Sequence, residues 1–184
     1  MYKGERREVL SMDAGSDASM PEVAWFAIYT RPRHEKRVEG QLRQKGIESY
    51  LPLCQRLHRW SDRKKLVDVP LFSGYVFFHG DAKDRYDAVR SYGAVRIVTF
   101  DGRPAVVRDE EIENIKRILR EIPSVESCPD VAVGDPVEIV SGPLTGVQGR
   151  IEEVRSERRL LVSIPSVRQA LRFNVDGVDV RVLK

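Results

Sequence analysis

Hydrophobic residues are spaced in two different ways along the chain, and the change of spacing divides it in two. Between residues 23 and 122, strand-like apolar runs alternate with helical stretches in the predicted order β-α-β-β-β-α-β-α. Between residues 131 and 184, only short runs of alternating apolar and polar residues occur, separated by turn residues. The pattern predicts an α+β fold: an N-terminal domain in which strands and helices alternate, followed by a small C-terminal β-barrel.

Two polar segments flank the predicted N-terminal domain. Residues 1–22 are polar and predict a disordered tail. Residues 123–130 contain two prolines together with serines and acidic residues, which is typical of a linker. The predicted organisation is therefore a tail, a first domain over 23–122, a linker, and an all-β domain over 131–184.

Several elements of the first domain can be placed from their residues. A strand is predicted over 23–29, and a helix over 33–45 in which Val38 and Leu42 face a core. A hairpin follows whose long basic tip spans 59–65, and then a buried strand over 70–78. A short helix over 85–92, a strand over 95–100 and a helix over 109–122 complete the domain, the last with Ile112, Ile115 and Leu119 on one face.

Charge is distributed unevenly, and this bears on possible partners. The formal net charge is only +3, but residues 31–65 contain eleven Lys/Arg and four Asp/Glu, a local +7. Such an excess favours a polyanionic partner, although a solvated charged face would give the same composition.

Two widely separated cysteines, Cys54 and Cys128, indicate neither a disulfide framework nor a metal site. A reduced, cytoplasmic protein without a membrane span or signal peptide is expected.

No catalytic motif is present, and we expect the protein not to be an enzyme. The three histidines, His34, His58 and His79, have no metal-ligand spacing, and no P-loop, G-x-S-x-G or G-x-G-x-x-G occurs. The acidic triplet at 109–111 lies where a helix N-terminus favours negative charge. No catalytic residue, metal or cofactor is therefore predicted.

The C-terminal half contains one distinctive stretch, Val133-Gly134-Asp135-Pro136-Val137-Glu138-Ile139-Val140-Ser141-Gly142-Pro143-Leu144-Thr145-Gly146-Val147-Gln148-Gly149-Arg150-Ile151-Glu152-Glu153-Val154. It predicts two strands joined by a glycine-proline turn, with Gly149 inside the second strand at a bulge or close backbone approach. The stretch resembles the KOW motif, which marks small SH3-like β-barrels in ribosomal proteins and in transcription elongation factors.

Three segments in order resemble the NusG family: Trp25-Phe26-Ala27-Ile28-Tyr29, the helix entry Arg31-Pro32-Arg33-His34-Glu35-Lys36-Arg37, and Pro70-Leu71-Phe72-Ser73-Gly74-Tyr75-Val76-Phe77, followed by the KOW stretch. The resemblance covers residues 23–184 and implies an NGN domain followed by a KOW domain. It implies that the NGN domain is an α/β sandwich in which helices flank an antiparallel sheet, and that the KOW domain is an SH3-like β-barrel. Tyr50-Leu51-Pro52-Leu53, the segment 59–65 and Val69-Pro70-Leu71-Phe72 are closest to the specialised RfaH and UpxY-like paralogues. Ser73, where many members have proline, and Ile164-Pro165-Ser166-Val167-Arg168-Gln169, which lacks the frequent Phe-Gly-Arg turn, depart from the family pattern.

The resemblance implies a transcription elongation and antitermination factor that binds the clamp helices of RNA polymerase through its N-terminal domain. The matching docking positions are Trp25, Tyr29, Phe72, Tyr75 and Phe77. Strand alternation predicts that Tyr75 and Phe77 share one face while Phe72, Val76 and Phe78 share the other. Tyr75 and Phe77 are then the favoured contacts and Phe72 lies near the rim. All five can equally be core residues, since aromatic strand residues are usually buried.

The resemblance also implies contacts to the exposed non-template DNA strand. The matching helix positions are Arg31, His34, Arg37 and Gln41, and the last three fall on one helix face. In the hairpin the candidates are Arg59, Trp60, Arg63, Lys64 and Lys65, where Trp60 could stack on an unpaired base. The alternatives are an ordinary surface histidine and a solvated loop that protects a sheet edge.

The resemblance implies a second partner, which binds the KOW domain, but no definite set of contact residues. The KOW domain of family members recruits a small-subunit ribosomal protein or the termination factor Rho, and Leu144, Ile164 and Val167 are candidate exposed anchors unless they are buried. We expect a monomer that acts on a particular operon. The alternatives are a general NusG-like factor and an RNA-binding or ribosome-associated KOW protein. Pro165 and the many β-branched residues favour a stable barrel over a helical form of this domain.

Overall fold

A computed structural model describes residues 21–59, 64–122, 124–130, 134–154 and 157–183 of the chain. Residues 1–20, most of the predicted tail, lie outside the described residues. The N-terminal part contains three helices, α1 Glu35–Gln44, α2 Ala82–Val89 and α3 Asp109–Glu121. Its strands are β1 Ala24–Thr30, β2 Glu48–Tyr50, β3 Leu53–Arg59, β4 Lys64–Pro70, β5 Tyr75–Gly80, β6 Ala94–Ile97, β7 Thr99–Phe100, β8 Arg103–Pro104 and β9 Val106–Val107.

The N-terminal sheet is antiparallel, with strand order β2-β5-β1-β6. Strand β9 pairs with the first half of β1, whose second half pairs with β6. Strands β3 and β4 form a separate two-stranded hairpin, and β7 and β8 form another. The sheet places the two turns at residues 31–34 and 70–74 next to each other.

Strand β1 is buried on both faces, which explains its nearly continuous apolar run. Phe26 and Ile28 pack with Val38 and Leu42 of α1, so the core-facing side of this helix was predicted correctly. The opposite face, which includes Trp25, packs into a second hydrophobic cluster that also contains residues of α3. The sheet therefore lies between α1 on one side and α3 on the other.

Helix termini follow from local hydrogen bonding. Helix α2 begins with a capping box in which the amide of Asp84 donates to Asp81 and the amide of Asp81 donates to Asp84. The hydrogen bond from the amide of Asp84 holds the pKa of Asp81 below its usual value. Helix α3 begins with three acidic residues, and Glu111 accepts a hydrogen bond from Arg108 Nε at 2.9 Å.

The C-terminal part forms one six-stranded antiparallel sheet with strand order β10-β14-β13-β12-β11-β15. Its strands are β10 Glu126–Pro129, β11 Asp135–Ile139, β12 Gln148–Val154, β13 Glu157–Ile164, β14 Gln169–Asn174 and β15 Val180–Val182. A 3₁₀ turn over Pro165–Val167 joins β13 to β14. We call residues 126–182 the C-terminal β domain.

Several predicted elements differ in detail from the structure, and two of these differences arise from pairing between segments that are distant in sequence. Residues 126–129, predicted as part of a linker, form β10 and pair with β14 through Glu126↔Arg172 to Pro129↔Gln169. The strand predicted over 95–100 is divided at Val98, whose amide donates to Ala27 O while Ala105 donates to Val98 O. Neither change follows from hydrophobic spacing, because both depend on pairing with residues distant in sequence.

Candidate functional site

The five predicted docking aromatics lie on or beside one face of the N-terminal sheet, but they differ in exposure. Trp25, Phe72 and Phe77 are buried in the cluster that also contains Ile112 and Ile115 of α3. Tyr75 is half-buried, and Tyr29 is 38% exposed. In this conformation, only the two tyrosines can meet a partner directly.

The Trp25 end of this face is covered by side chains of α3. Lys116 Nζ lies 5.8 Å from the ring centroid of Trp25 and 5.6 Å from that of Tyr50. Lys116 also pairs with Glu113 at 2.7 Å. Burial, with a smaller effect from the Glu113 charge, raises the pKa of Tyr50 to about 12. A partner that reaches Trp25 would have to displace this layer.

Phe72 lies on the same side as Phe77, which corrects the alternation predicted from sequence. The two rings meet edge to face with centroids 6.0 Å apart, whereas Val76 and Phe78 belong to the opposite cluster. Strand β5 begins only at Tyr75, and the amide of Tyr75 donates to Phe72 O in a turn. Because the chain turns there, the period-two rule does not extend back to Phe72.

Tyr29 and Tyr75 form a partly exposed aromatic pair where β1 ends and β5 begins. The residues are register partners, and their rings are T-shaped with centroids 5.4 Å apart. A cleft of about 500 Å³ lies beside Tyr29, between the two turns that follow β1 and β4. Its remaining lining is Thr30, Pro32, Arg33, Glu35, Lys36, Pro70, Ser73 and Gly74. The cleft is concave, partly apolar and edged by cations, a combination suited to a helix tip.

The cleft is held in shape by hydrogen bonds that join the 70–74 turn and β4 to α1 and to the end of β1. The buried carboxylate of Glu35 accepts a hydrogen bond from the amide of Gly74 at 2.8 Å. Lys36 Nζ donates to Asp68 O at 2.8 Å, and the amide of Thr30 donates to Gly74 O at 2.8 Å. The tyrosine pair therefore lies on a fixed rather than an adaptable surface.

The predicted nucleic-acid face of α1 converges on a residue that the sequence did not single out, Tyr92. The Arg37 guanidinium lies 4.2 Å from the Tyr92 ring centroid, and the His34 ring centroid lies 5.7 Å away. Gln41 Nε2 donates to Tyr92 O at 3.0 Å, and the Tyr92 amide donates to Gln41 Oε1 at 2.9 Å. His34, Arg37 and Gln41 thus share one helix face, as their spacing predicted.

The hairpin candidates are described only in part. Trp60 and Arg63 lie outside the described residues, as do the side chains of Arg59, Lys64 and Lys65. The backbone of the hairpin is regular from Leu53↔Pro70 to Arg59↔Lys64. The predicted long β-hairpin is therefore present, and its nucleic-acid role stays a prediction.

The candidate anchors of the C-terminal β domain, Leu144, Ile164 and Val167, are all buried. They belong to the same contiguous apolar cluster as Ile115 and Ile118 of α3. The cluster thus continues from the face of the N-terminal sheet through α3 into the C-terminal β domain. The sequence allowed these three residues to be either exposed anchors or buried core residues, and the structure shows that they are buried.

Polar contacts between α3 and the C-terminal β domain accompany this packing. Arg117 Nη2 donates to Pro143 O at 2.8 Å and to Thr145 O at 3.0 Å, two carbonyls of the turn between β11 and β12. Ser166 Oγ lies 3.4 Å from Glu111 Oε2. Arg117 is a residue that sequence reasoning missed, because its partners are 26 and 28 positions away.

We expect Arg117→Ala to loosen α3 from the C-terminal β domain by about 1 kcal/mol, since it removes two charge-assisted hydrogen bonds. Amide exchange by mass spectrometry on the full chain should show faster exchange in residues 142–147. Arg120→Ala, at an exposed position on the same helix, is the matched control. Equal effects of the two substitutions would mean that the Arg117 hydrogen bonds do not hold the contact.

Comparison with known proteins identifies the family. The family model described as transcription termination factor NusG matches residues 23–116. The chain belongs to the NusG family. A NusG protein of Deinococcus radiodurans is 29% identical over 175 residues, covering 77% of this chain and 90% of the relative. The corresponding protein of Thermus thermophilus is 27% identical, covering 74% of this chain and 85% of the relative.

A more distant relative and a solved structure agree with this assignment. Transcription elongation factor Spt5 of Aeropyrum pernix is 29% identical over 121 residues, covering 64% of this chain and 74% of the relative. The structure of Thermotoga maritima NusG, described as showing a domain interaction, superposes with a TM-score of 0.55. It is 22% identical and covers 88% of this chain and 98% of that one, which supports the fold.

Family membership establishes the functional class of the protein. NusG-family proteins are transcription factors and not enzymes, in agreement with the absence of catalytic motifs from the sequence. Among the described residues, no cluster of His, Cys, Asp and Glu could hold a metal ion. None of the helices in the described part is long and apolar enough to cross a membrane.

Proposed function

We propose that this protein is a transcription elongation and antitermination factor that binds the clamp helices of RNA polymerase through its N-terminal domain. The match of the NusG family model to residues 23–116 is the observation that carries the proposal. The relatives in bacteria are named termination/antitermination proteins, and the archaeal one is named an elongation factor. Cytoplasmic action as a monomer is part of the proposal.

The exposed tyrosine pair is the best-supported docking point. Tyr29 and Tyr75 combine an apolar ring with a polar hydroxyl, as interface anchors commonly do, and the adjoining cleft can receive a side chain from a helix tip. Trp25, Phe72 and Phe77 then act from the core, by supporting the face on which the tyrosines lie.

The α1 face and the basic hairpin are proposed to contact the non-template DNA strand. Arg31 and Arg37 are exposed, and His34 adjoins Arg37 at the aromatic ring of Tyr92. Cations bring the phosphate backbone to this surface, where contacts to bases can then distinguish sequences. The hairpin would extend the same basic surface.

An operon-specific role is proposed over a general one from the RfaH- and UpxY-like segments at 50–53 and 59–65. A specific factor should act at one pause sequence, whereas a general factor should act at many.

A ribosomal protein or Rho is the proposed partner of the C-terminal β domain. Because Leu144, Ile164 and Val167 are buried here, a partner that contacts them requires this surface to be uncovered first.

The proposal is tested by single-round transcription with core RNA polymerase of the organism that encodes the chain. We expect the full chain to shorten pauses and to reduce termination, while nucleotide and metal binding screens stay negative. A set of templates with different non-template pause sequences separates a specific from a general factor. Failure to bind the polymerase, combined with binding to ribosomes or RNA, would replace the proposal by the ribosome-associated alternative.

A further inference from the structure

Tyr92 is an exposed aromatic residue next to the exposed guanidinium of Arg37. It lies between α2 and β6, and 54% of the residue is exposed. An exposed tyrosine offers a large ring face and a polar hydroxyl to a partner. The surrounding charges indicate what kind of partner this is.

The backbone that carries Tyr92 is held firmly against α1. The Gln41 side-chain amide makes two hydrogen bonds to this backbone: its Nε2 donates to Tyr92 O, and its Oε1 accepts from the Tyr92 amide. The next residue, Gly93, accepts a hydrogen bond from the Arg31 amide at 2.8 Å. Gly93 has φ +99°, and a Cβ there would lie 2.7 Å from His34 Cβ. A ring on a fixed backbone loses little entropy when it binds.

Gln41 therefore has a different role from the one its position suggested. The sequence grouped it with His34 and Arg37 as a nucleic-acid contact, but its amide is occupied by the backbone of Tyr92. Gln41 is a positioning residue, and the group presented to solvent at this point is the Tyr92 ring.

One arginine lies against the Tyr92 ring, and a second arginine–tyrosine pair lies a few residues earlier in the chain. The exposed Arg37 guanidinium stacks on Tyr92, and no ion pair joins it to a carboxylate among the described residues. The second pair lies at the C-terminal end of α2, where Nη1 of the capping residue Arg90 donates to the hydroxyl of the exposed Tyr86 at 2.6 Å. Arginines interleaved with exposed aromatic rings are typical of surfaces that bind single-stranded nucleic acid.

We propose that Tyr92 stacks on an unpaired base of single-stranded DNA, while Arg37 and His34 face the adjoining phosphate. The inference rests on the proposed non-template contact and names the residue that receives the base. A base offers its face to a side chain only when it is unpaired, so the contact selects single strands over duplex. Stacking accepts every base, so sequence preference would have to come from neighbouring contacts.

The first test measures binding of the full chain, without polymerase, to labelled single-stranded DNA by fluorescence anisotropy at several salt concentrations. We expect Tyr92→Leu to weaken binding about tenfold or more at every salt concentration, with an unchanged salt slope. Tyr92→Phe should bind like the wild type. Arg37→Gln should instead lower the salt slope by about 0.7, the value for one phosphate contact on a single strand.

Phe100→Leu is the matched control, because Phe100 is 64% exposed but lies on the β7–β8 hairpin. Thermal unfolding of each variant checks that the fold is unchanged. The inference is overturned if Tyr92→Leu binds single-stranded DNA like the wild type, or if duplex DNA shows the same dependence on Tyr92. Tighter, Tyr92-dependent binding to RNA of the same sequence would overturn the assignment to DNA.

The second test places 2-aminopurine in the non-template strand of an assembled elongation complex. We expect the wild-type chain to quench its fluorescence at one position and Tyr92→Leu to bind the polymerase equally well without this quenching. Polymerase binding with no Tyr92-dependent quenching would contradict the stacking inference and leave the proposed function intact. Loss of polymerase binding by the wild type would contradict the proposed function, while the first test would still decide the role of Tyr92.

Discussion

The double variant Tyr29→Ala/Tyr75→Ala is expected to bind core RNA polymerase about 100-fold more weakly than the wild type while it stays folded. Each ring is an exposed or half-exposed anchor next to the cleft, and truncation of such an anchor costs about 1–3 kcal/mol. Each single variant should lose about tenfold. The 100-fold loss assumes that the two losses add, and a departure from it would measure the coupling between the two contacting rings.

The measurement is a titration of labelled full-length protein with core polymerase, accompanied by thermal unfolding of every variant. Phe100→Ala removes an equally exposed aromatic ring elsewhere and should bind like the wild type. Phe77→Leu should lower the stability and leave the affinity of the folded protein nearly unchanged, because the ring is buried. Unimpaired binding by the folded double variant would show that the polymerase docks elsewhere.

Much of the N-terminal fold could be predicted because its core is encoded locally. The strand at 24–30, the helix face of Val38 and Leu42, and the helix at 109–121 each follow from spacing within a single element. The common face of His34, Arg37 and Gln41 follows in the same way. These are features for which three or four residues of separation decide the geometry.

What could not be predicted depends on contacts between distant segments. Gln41 and Tyr92 are 51 positions apart, and nothing local to either residue indicates their two hydrogen bonds. Strand β10 has the sequence Glu-Ser-Cys-Pro, whose composition is that of a linker, and it is a strand only because β14 lies beside it. Trp25 and Phe77 differ from Tyr29 in exposure because α3 covers one end of the sheet and not the other.

Gly149→Ala is expected to unfold the C-terminal β domain or to destabilise it by about 3 kcal/mol. Gly149 lies in β12 opposite Val137 of β11, where its backbone passes close to β13. A Cβ at this position would lie 2.4 Å from Leu161 O and 3.1 Å from Leu160 Cδ1. Backbone cannot move aside as a flexible side chain can, so the strands would have to separate. This close approach explains the glycine in the middle of the predicted second strand.

Gly146→Ala is the matched control, because a Cβ there would meet nothing within 4 Å although φ is +87°. It should lose only about 1 kcal/mol from backbone strain. Hydrogen exchange on the full chain should show that Gly149→Ala, and not Gly146→Ala, removes protection from residues 134–154 and 157–175. Protection in β1 and β5 should persist, since their pairing and the α1 side of the sheet do not involve the C-terminal β domain. Loss of protection in β1 and β5 as well would contradict this expectation. It would mean that the apolar cluster that continues through α3 makes the two parts one cooperative unit. Polymerase docking at Tyr29 and Tyr75 would then depend on the C-terminal β domain.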